Sequence, residues 1–286
     1  MVHEGRRWQR PPLHLWLGVA LVAISWPLNW CLQGMRTHLL FFPLWLGYCL
    51  AVDALVASCK GSSPLTRGGW AYGWLFVLSI PAWWLFEMIN LRTRNWHYLG
   101  REEVSTLGYA VLASLSFSTV MPAVFTSAEL VAYALRVRTE AAPKKRIGPS
   151  ALVAVLAVGC GMLGVVLLLP KYFFPLVWLS LFLIVDPINA WAGRSSLFLQ
   201  ITKGNWRQVC ALWGGVMVCA FFWEMWNFWS YPKWIYQVPF VGRPRIFEMP
   251  LLGYLGYLPF AMELYALFHL ATGALRLRGA WRLLDL

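Results

Sequence analysis

The chain has 286 residues, of which 59% are hydrophobic and only 13% are charged. Soluble globular domains carry about 25% charged residues, so this composition excludes an ordinary soluble domain and predicts an integral membrane protein. Lys and Arg total 24 against 12 Asp and Glu. These basic residues fall in loops and termini, where membrane topology and lipid phosphates account for them, and we therefore exclude nucleic acid as a partner.

Eight apolar segments approach the roughly 20 residues that span the hydrocarbon core of a bilayer. In chain order they are residues 13–33, 38–58, 70–90, 104–135, 149–169, 172–192, 206–229 and 249–275. The first segment follows a basic flank and lacks a signal-peptidase site, so it is interpreted as an uncleaved span. The fourth contains Pro122, which predicts a kink or break there. A basic linker, RVRTEAAPKKRIGPS, separates the fourth and fifth segments.

The distribution of basic residues predicts the orientation of these spans. Lys and Arg are about twice as frequent in the termini and even-numbered loops as in the odd-numbered loops. Cytoplasmic loops of membrane proteins carry the excess of Lys and Arg. The pattern predicts a multi-pass protein of a bacterial inner membrane, with both termini in the cytoplasm.

The first half of the sequence recurs in the second half in the same order. The segment FFPLWLGYCLAVDALVASCKGSSPL matches FFPLVWLSLFLIVDPINAWAGRSSL, and WLFEMINLRTRNWHY matches FWEMWNFWSY. Pro122 followed by Glu129 matches Pro259 followed by Glu263. Internal repeats of this kind define the architecture of many transporter folds.

Each half contains four predicted spans, and four is an even number. Both halves therefore enter the membrane in the same sense, as a parallel repeat. The predicted fold class is an all-α integral membrane protein of about eight transmembrane helices. These form two four-helix repeats, residues 1–146 and 147–286.

Six of the twelve acidic residues lie inside predicted spans and form three pairs by the repeat. The pairs are Asp53 with Asp186, Glu87 with Glu224, and Glu129 with Glu263. An ionisable residue inside a span is a functional hypothesis by default, and it normally faces the interior of the bundle. No Lys or Arg falls well inside a span, so we expect these carboxylates to have no basic partner there.

The three pairs differ in their predicted roles. Asp53 and Asp186 fall near the cytoplasmic ends of their spans, where they are expected to have a structural or secondary role. That role would be to cap helices or to anchor the loops that carry a Ser-Ser pair. The four glutamates are the candidate catalytic acids, of which Glu224 and Glu263 are the favoured proton donors.

Polar and aromatic residues accompany two of these glutamates. Asn90 and Asn227 follow Glu87 and Glu224 by three residues, so each Glu/Asn pair shares a helix face. Trp accounts for 19 of the 286 residues, more than an interfacial belt of aromatic residues requires. Aromatic faces beside acids suit a flat or isoprenoid ligand and stabilise positive charge. The candidate substrate-binding residues are Asn90, Asn227, Trp223, Trp226, Trp229 and Tyr231.

Several common catalytic motifs are absent from the sequence. The five histidines form no H-x-x-H-H or H-E-x-x-H pattern, which excludes the usual di-iron desaturase and zinc protease signatures. No P-loop, G-x-S-x-G or dinucleotide-binding fingerprint occurs. The sequence therefore predicts no metal and no cofactor, and it leaves the oligomeric state open.

The pattern Trp223-Glu224…Asn227-x-Trp229-x-Tyr231 with Pro259-x-x-x-Glu263 resembles the small membrane-embedded lycopene cyclase domains. It is also similar to the membrane meroterpenoid cyclases, which place helix-borne acids next to Trp. The resemblance covers about forty residues per half. It implies acid-initiated carbocation chemistry on an isoprenoid. Two features depart from the carotenoid enzymes: a single Glu263 follows Pro259 in place of paired acids, and each half has four spans in place of about three.

Three functions are therefore carried forward. The first is an acid-catalysed isoprenoid or carotenoid cyclase or hydratase, with a membrane lipid or isoprenoid as its ligand. The second is a proton- or cation-coupled transporter or channel that uses the repeated carboxylates. The third is a lipid-binding or assembly scaffold without turnover.

Overall fold

A computed structural model describes residues 11–34, 37–135 and 148–286 of the chain. Eight helices of the described part are long and apolar enough to cross a membrane, which confirms the predicted number of spans and the all-α membrane class. Most of the basic linker and the predicted boundary between residues 146 and 147 lie outside the described ranges.

The helices follow one another with short breaks. In the first half they are α1 (Leu13–Cys31), α2 (Phe41–Lys60), α3 (Pro64–Gly68), α4 (Gly73–Thr93), α5 (Thr106–Phe117) and α6 (Val120–Leu135). In the second half they are α7 (Pro149–Leu168), α8 (Pro170–Phe173), α9 (Val177–Trp191), α10 (Leu197–Ile201), α11 (Arg207–Phe228) and α12 (Tyr257–Ala274). Short 3₁₀ segments join several of them, and the longest of those described, Leu251–Gly256, leads into α12.

In the described part of the chain, four short strands lie outside the helices: β1 (Trp96–Leu99), β2 (Lys233–Tyr236), β3 (Arg245–Ile246) and β4 (Met249–Pro250). β1 follows α4 and β2 follows α11, and the two strands pair antiparallel with Trp96 opposite Tyr236 and Tyr98 opposite Trp234. We call this pair the ribbon, and we call the end of the helix bundle that carries it the ribbon end. The C-terminal segment lies at the opposite end.

Close backbone contact holds the helices together, as is usual where lipid removes the hydrophobic drive for association. A Cβ added to Gly18 of α1 would lie 2.7 Å from the Gly47 carbonyl of α2, and one added to Gly215 of α11 would lie 2.3 Å from the Ala128 amide of α6. α6 also packs on α2, while α12 packs on α9 and α11. Because the two halves share these contacts, their helices form a single bundle.

The helices α1 and α7 lie at the periphery of this bundle. Only 17% of the apolar stretch of each of these two helices is buried inside the protein, compared with about half of the apolar stretch in the spans that contain α2 and α9. Many of their large apolar side chains, such as Leu17, Ile24 and Val158, are exposed. Such surfaces are stable in a hydrocarbon solvent and not in water.

The fourth predicted span is broken, but not at the proline itself. α5 ends at Phe117 and α6 begins at Val120, so the break lies at Ser118 and Thr119. Pro122 falls in the first turn of α6, where a residue without an N–H group costs nothing in hydrogen bonding. The hydroxyls of Ser118 and Thr119 donate to the carbonyls of Leu115 and Ser116 across the break.

Candidate functional site

An aromatic cavity lies at the ribbon end of the bundle. Its volume is about 190 Å³, less than the roughly 300–1,000 Å³ of pockets that enclose a drug-sized ligand. Side chains from both halves line it, and twelve of these are aromatic: Phe41, Trp83, Trp96, Tyr98, Tyr109, Phe117, Trp178, Trp223, Trp234, Tyr236, Tyr257 and Phe260. A cavity of this size and lining fits part of a long unsaturated chain.

Glu224 lies behind one wall of this cavity, and its side chain is fully buried. The hydroxyls of Tyr236 and Tyr257 both donate to Glu224 Oε1 at 2.7 Å. The second oxygen, Oε2, has no hydrogen-bond partner among the described residues. Since both tyrosines line the cavity, each hydroxyl connects the buried acid to the space that a ligand would fill.

Glu87 has a similar place relative to the same cavity. The Tyr98 hydroxyl donates to Glu87 Oε1 at 2.6 Å, and the indole nitrogens of Trp83 and Trp96 donate to the same oxygen at 3.0 Å. All three donors line the cavity. The two acids thus reach one cavity through different sets of donors.

The ribbon brings these donors into one cavity. Alternate residues of a strand face the same side, so Trp96 and Tyr98 of β1 share a face. Trp234 and Tyr236 of β2 line the cavity with them. Trp234 also donates from its indole nitrogen to the Tyr236 hydroxyl at 2.9 Å, which adds a third member to the Glu224 network.

Asn90 and Asn227 hold the ribbon onto the helices. Asn90 donates from Nδ2 to the Trp96 carbonyl at 2.7 Å and accepts from the Asn95 amide. Asn227 donates to the Trp234 carbonyl at 2.8 Å and accepts from the Trp234 amide at 2.9 Å. The structure therefore gives these amides backbone partners, and neither lines the cavity as a substrate-binding group.

The sequence repeat matches Trp96-x-Tyr98 with Trp229-x-Tyr231, but Trp229 and Tyr231 do not take the positions in the structure that Trp96 and Tyr98 take. Trp229 is 64% exposed and Tyr231 does not line the cavity. In the second half, the Tyr236 hydroxyl donates to Glu224 as the Tyr98 hydroxyl does to Glu87, and Asn227 binds the Trp234 carbonyl as Asn90 binds that of Trp96. A second Trp-x-Tyr, KWIY in β2, was the available signal, because it shifts the spacing from the asparagine by only one residue.

The two remaining tryptophan candidates have different positions. Trp223 lines the cavity and stacks on Tyr257, with ring centroids 5.9 Å apart and planes at 21°. Trp226 is buried in the core against Trp45, at a centroid distance of 5.0 Å, and it does not line the cavity. Trp223 is therefore a cavity-lining residue, while Trp226 is a packing residue.

Glu263 lies deeper in the bundle, away from the cavity lining. Its Oε1 accepts from the Leu181 backbone amide of α9 at 3.2 Å, and its Oε2 has no partner among the described residues. In the repeat, Asp53 stands nine positions after Leu44, whereas Asp186 stands ten positions after Leu176, so the second copy has one additional residue in this segment. Leu181, whose amide binds Glu263, lies within that longer segment.

Glu129 has basic partners, which corrects the expectation that none would be found. Its buried carboxylate accepts two bonds from the Arg67 guanidinium, at 2.8 and 2.7 Å, and one from Lys60 Nζ at 2.7 Å. These cations come from the end of α2 and from α3, whose long side chains reach inward from the end opposite the ribbon. The contacts of Glu129 and Glu263 therefore do not correspond.

Asp53 and Asp186 each bind the loop that follows their helix. Asp53 accepts from the Ser63 hydroxyl at 2.6 Å and from the Leu65 amide at 3.0 Å. Asp186 accepts from the Ser196 hydroxyl at 2.5 Å and from the Leu197 and Phe198 amides at 3.0 Å. These bonds satisfy both carboxylates within the fold.

Sequence reasoning missed the tyrosines that connect the acids to the cavity. Tyr98, Tyr236 and Tyr257 come from β1, β2 and α12, and only the contacts in the structure show that each donates to one of the two acids. Burial, reinforced by the neighbouring carboxylate, raises the pKa of Tyr98 and of Tyr236 well above the ordinary value of 10.0. Both hydroxyls are therefore protonated donors at neutral pH.

Two cations line the cavity, and the exposed side chain of Arg101 marks the solvent-accessible edge that we call its opening. Lys233 forms an ion pair with Glu248 and also donates to the Phe228 carbonyl. Arg101 is exposed and lies over the Tyr109 ring at 4.6 Å. Within the described ranges, no carboxylate forms an ion pair with Arg101, and no three His, Cys, Asp or Glu side chains are grouped to hold a metal ion.

Comparisons with protein-family models, curated proteins and solved structures found no match. The chemistry of the site is therefore inferred from its residues. Those residues provide a buried acid, Glu224, and a half-buried acid, Glu87. They also provide hydroxyl groups that connect each acid to one cavity and an aromatic wall.

Proposed function

We propose that this membrane protein is an enzyme that binds an isoprenoid or a similar unsaturated lipid in the aromatic cavity and transforms it by acid catalysis, as a cyclase or hydratase. The observation that carries the proposal is the pair of hydroxyls from Tyr236 and Tyr257 on the buried carboxyl of Glu224. A proton held by this group can reach the cavity through either hydroxyl.

The reaction balances in protons and electrons. Protonated Glu224 gives a proton through Tyr236 or Tyr257 to one carbon of an alkene, whose π electrons form the new C–H bond and leave a carbocation. In a cyclase, a second alkene attacks the cation, and loss of a proton from the adjacent carbon returns it to Glu224. In a hydratase, water attacks the cation and then returns the proton.

The surrounding side chains suit the charge that develops. Faces of Trp and Tyr attract a cation, by about 2 kcal/mol or more where water is excluded. Trp178, Trp223 and Phe260 form part of this wall. Glu87, on its own tyrosine and tryptophan donors, supplies a second acidic group to the same cavity, where it would stabilise positive charge.

The resemblance to lycopene cyclase domains points in the same direction. Of the residues that carry it, Trp223 lines the cavity and Glu224 lies just behind its wall. Trp229 and Glu263 lie elsewhere, so the proposal gives the catalytic role to Glu224, with Glu87 as its partner.

We further propose that the chain consists of two parallel four-helix repeats, matched through Trp96-His97-Tyr98 and Trp234-Ile235-Tyr236. Support comes from the asparagine bonds to both strands and from the loop bonds of the two aspartates. With the protein in a bacterial inner membrane and both termini in the cytoplasm, the cavity would lie near the outer surface of that membrane.

The test uses cells that make carotenoids and purified protein in lipid nanodiscs. In cells, the wild-type protein should change the isoprenoid profile, and Glu224→Gln should abolish the change. In nanodiscs, turnover in heavy water should place deuterium in the product, at a rate that falls about 10²- to 10⁴-fold in Glu224→Gln. Glu102→Gln, which changes an exposed acid at the ribbon end, is the matched control.

Other outcomes lead to other functions. Unchanged isoprenoid profiles in the wild type and the variants would remove the cyclase or hydratase. Proton or cation flux in proteoliposomes that requires Glu224, without any product, would establish the transporter. Ligand binding without turnover or flux would support a lipid-binding or assembly scaffold.

A further inference from the structure

We infer that the ligand of the aromatic cavity carries an anionic group, a phosphate, diphosphate or carboxylate, which binds at Arg101 while the apolar chain occupies the cavity. The inference rests on the proposed isoprenoid function and adds the class of ligand. It starts from the two cations near the opening, which are not equivalent.

Lys233 has little capacity for a further anion. It forms an ion pair with Glu248, and both side chains are largely buried, at 20% and 15% exposure. It also donates to the Phe228 carbonyl at 3.2 Å. A ligand anion would therefore compete with a carboxylate already in place.

Arg101 has the opposite character. Its guanidinium carbon lies over the Tyr109 ring, 4.6 Å from the ring centroid, and the guanidinium N–H groups can donate to an anion. None of the described acids forms an ion pair with it. Glu102 and Glu103 follow it directly in the sequence, but both are exposed, so water screens their charge.

The local backbone fixes Arg101 at the opening. Gly100 has φ +85°, and a Cβ there would lie 2.8 Å from Pro232 Cβ, so only glycine fits this close approach of the chain after β1 to the start of β2. Arg101 follows this turn and lines the cavity together with Tyr109 of α5. An amphiphile would thus meet a planar cation first and the aromatic wall beyond it.

The size of the cavity fits the same arrangement. A volume of about 190 Å³ encloses only part of a long chain, so one end of the ligand occupies the cavity while the rest extends beyond it. The end next to the cation carries the anion, because a planar guanidinium binds phosphate or carboxylate through two parallel hydrogen bonds.

The experiment measures equilibrium binding to the full chain in nanodiscs of neutral lipid, with farnesyl diphosphate, farnesol and inorganic diphosphate as probes. We expect farnesyl diphosphate to bind at least about tenfold more tightly than farnesol, as one charge-assisted pair contributes. Arg101→Gln should remove this difference and leave the affinity for farnesol unchanged. Arg94→Gln, which alters an exposed arginine outside the cavity lining, should change neither affinity.

The remaining outcomes distinguish the sources of failure. Two results would refute the proposed anion site at Arg101 and leave the isoprenoid function in place. One is equal affinity of the wild type for farnesyl diphosphate and farnesol. The other is an Arg101→Gln variant that still prefers the diphosphate. Inorganic diphosphate that competes as well as farnesyl diphosphate would reduce the site to one for a free anion. If neither isoprenoid bound, the proposed function would fail together with the inference.

Discussion

The most informative test of the site removes the two tyrosine hydroxyls from Glu224. Both bonds are 2.7 Å long and end on Oε1, and Oε2 has no partner among the described residues. Tyr236→Phe or Tyr257→Phe alone leaves one donor on the buried carboxyl. The double variant leaves the whole group without a partner in an environment where that is costly.

The expected losses in the free energy of unfolding follow from the number of hydroxyl donors that each variant leaves on Glu224. Loss of a single hydrogen bond to a buried carboxyl should lower the free energy of unfolding by about 1–2 kcal/mol. Loss of the last donor adds the desolvation penalty of an unsatisfied group, about 1–3 kcal/mol. We therefore expect the double variant to lose more than the sum of the two single variants, with a coupling of about 1 kcal/mol or more.

The assay is unfolding of the purified protein in a mild detergent, combined with turnover in heavy water. Replacing Glu224 with Leu in the double variant should recover part of the lost stability, because it removes the unsatisfied group. Catalytic turnover should fall in the double variant to the level of Glu224→Gln. Strictly additive, small effects of the two Tyr→Phe changes would refute the reasoning, because they would mean that the carboxyl has another partner.

Three further predictions concern the supports of the fold. Arg67→Met should lower the free energy of unfolding by about 3 kcal/mol, because it leaves buried Glu129 with Lys60 alone; the loss should be smaller when Glu129→Gln is already present. Asn227→Ala should lower the free energy of unfolding by about 2 kcal/mol and increase hydrogen exchange in β2, because the backbone amide and carbonyl of Trp234 lose their side-chain partner. The hydrogen bond from Lys60 lowers the pKa of Asp285 below 3.8, so its contribution to stability is present above that pH and is lost as the pH falls further. An unfolding series from pH 6 to pH 3 should show a shallower acid-side loss in Asp285→Asn than in the wild type.

The membrane architecture could be predicted because it depends on local composition. Apolar runs of about 20 residues identify spans without knowledge of their neighbours, and all eight were identified. The break near Pro122 was predicted within a few residues. Its position at Ser118 and Thr119 could not be predicted, because a proline is compatible with the first turn of a helix and hydroxyls can close the gap before it.

The candidate site was predicted less completely, because its members meet only in three dimensions. The Glu/Asn spacing predicted Glu87 and Glu224 as a pair, and in the structure both accept a hydrogen bond from a tyrosine that lines the cavity. The choice between Trp229-x-Tyr231 and Trp234-x-Tyr236 required the strand pairing, since two similar motifs occur within eight residues. The cations on Glu129 were missed because long side chains from a helix end can reach a carboxylate that lies inside the span.

Glu87 and Glu224 accept hydrogen bonds from different kinds of donor, and we infer that they have unequal roles at the aromatic cavity. Three donors converge on one oxygen of Glu87, two of them indole N–H groups that can only donate. Within the described ranges, Glu224 accepts hydrogen bonds only from hydroxyls, which can both donate and accept and can therefore relay a proton, and its Oε2 has no partner. We accordingly expect Glu224→Gln to abolish the chemical step, while Glu87→Gln lowers the rate through weaker stabilisation of the cation. Product trapping should then show partial turnover in Glu87→Gln alone; equal loss in both variants would mean that the two acids act as one unit.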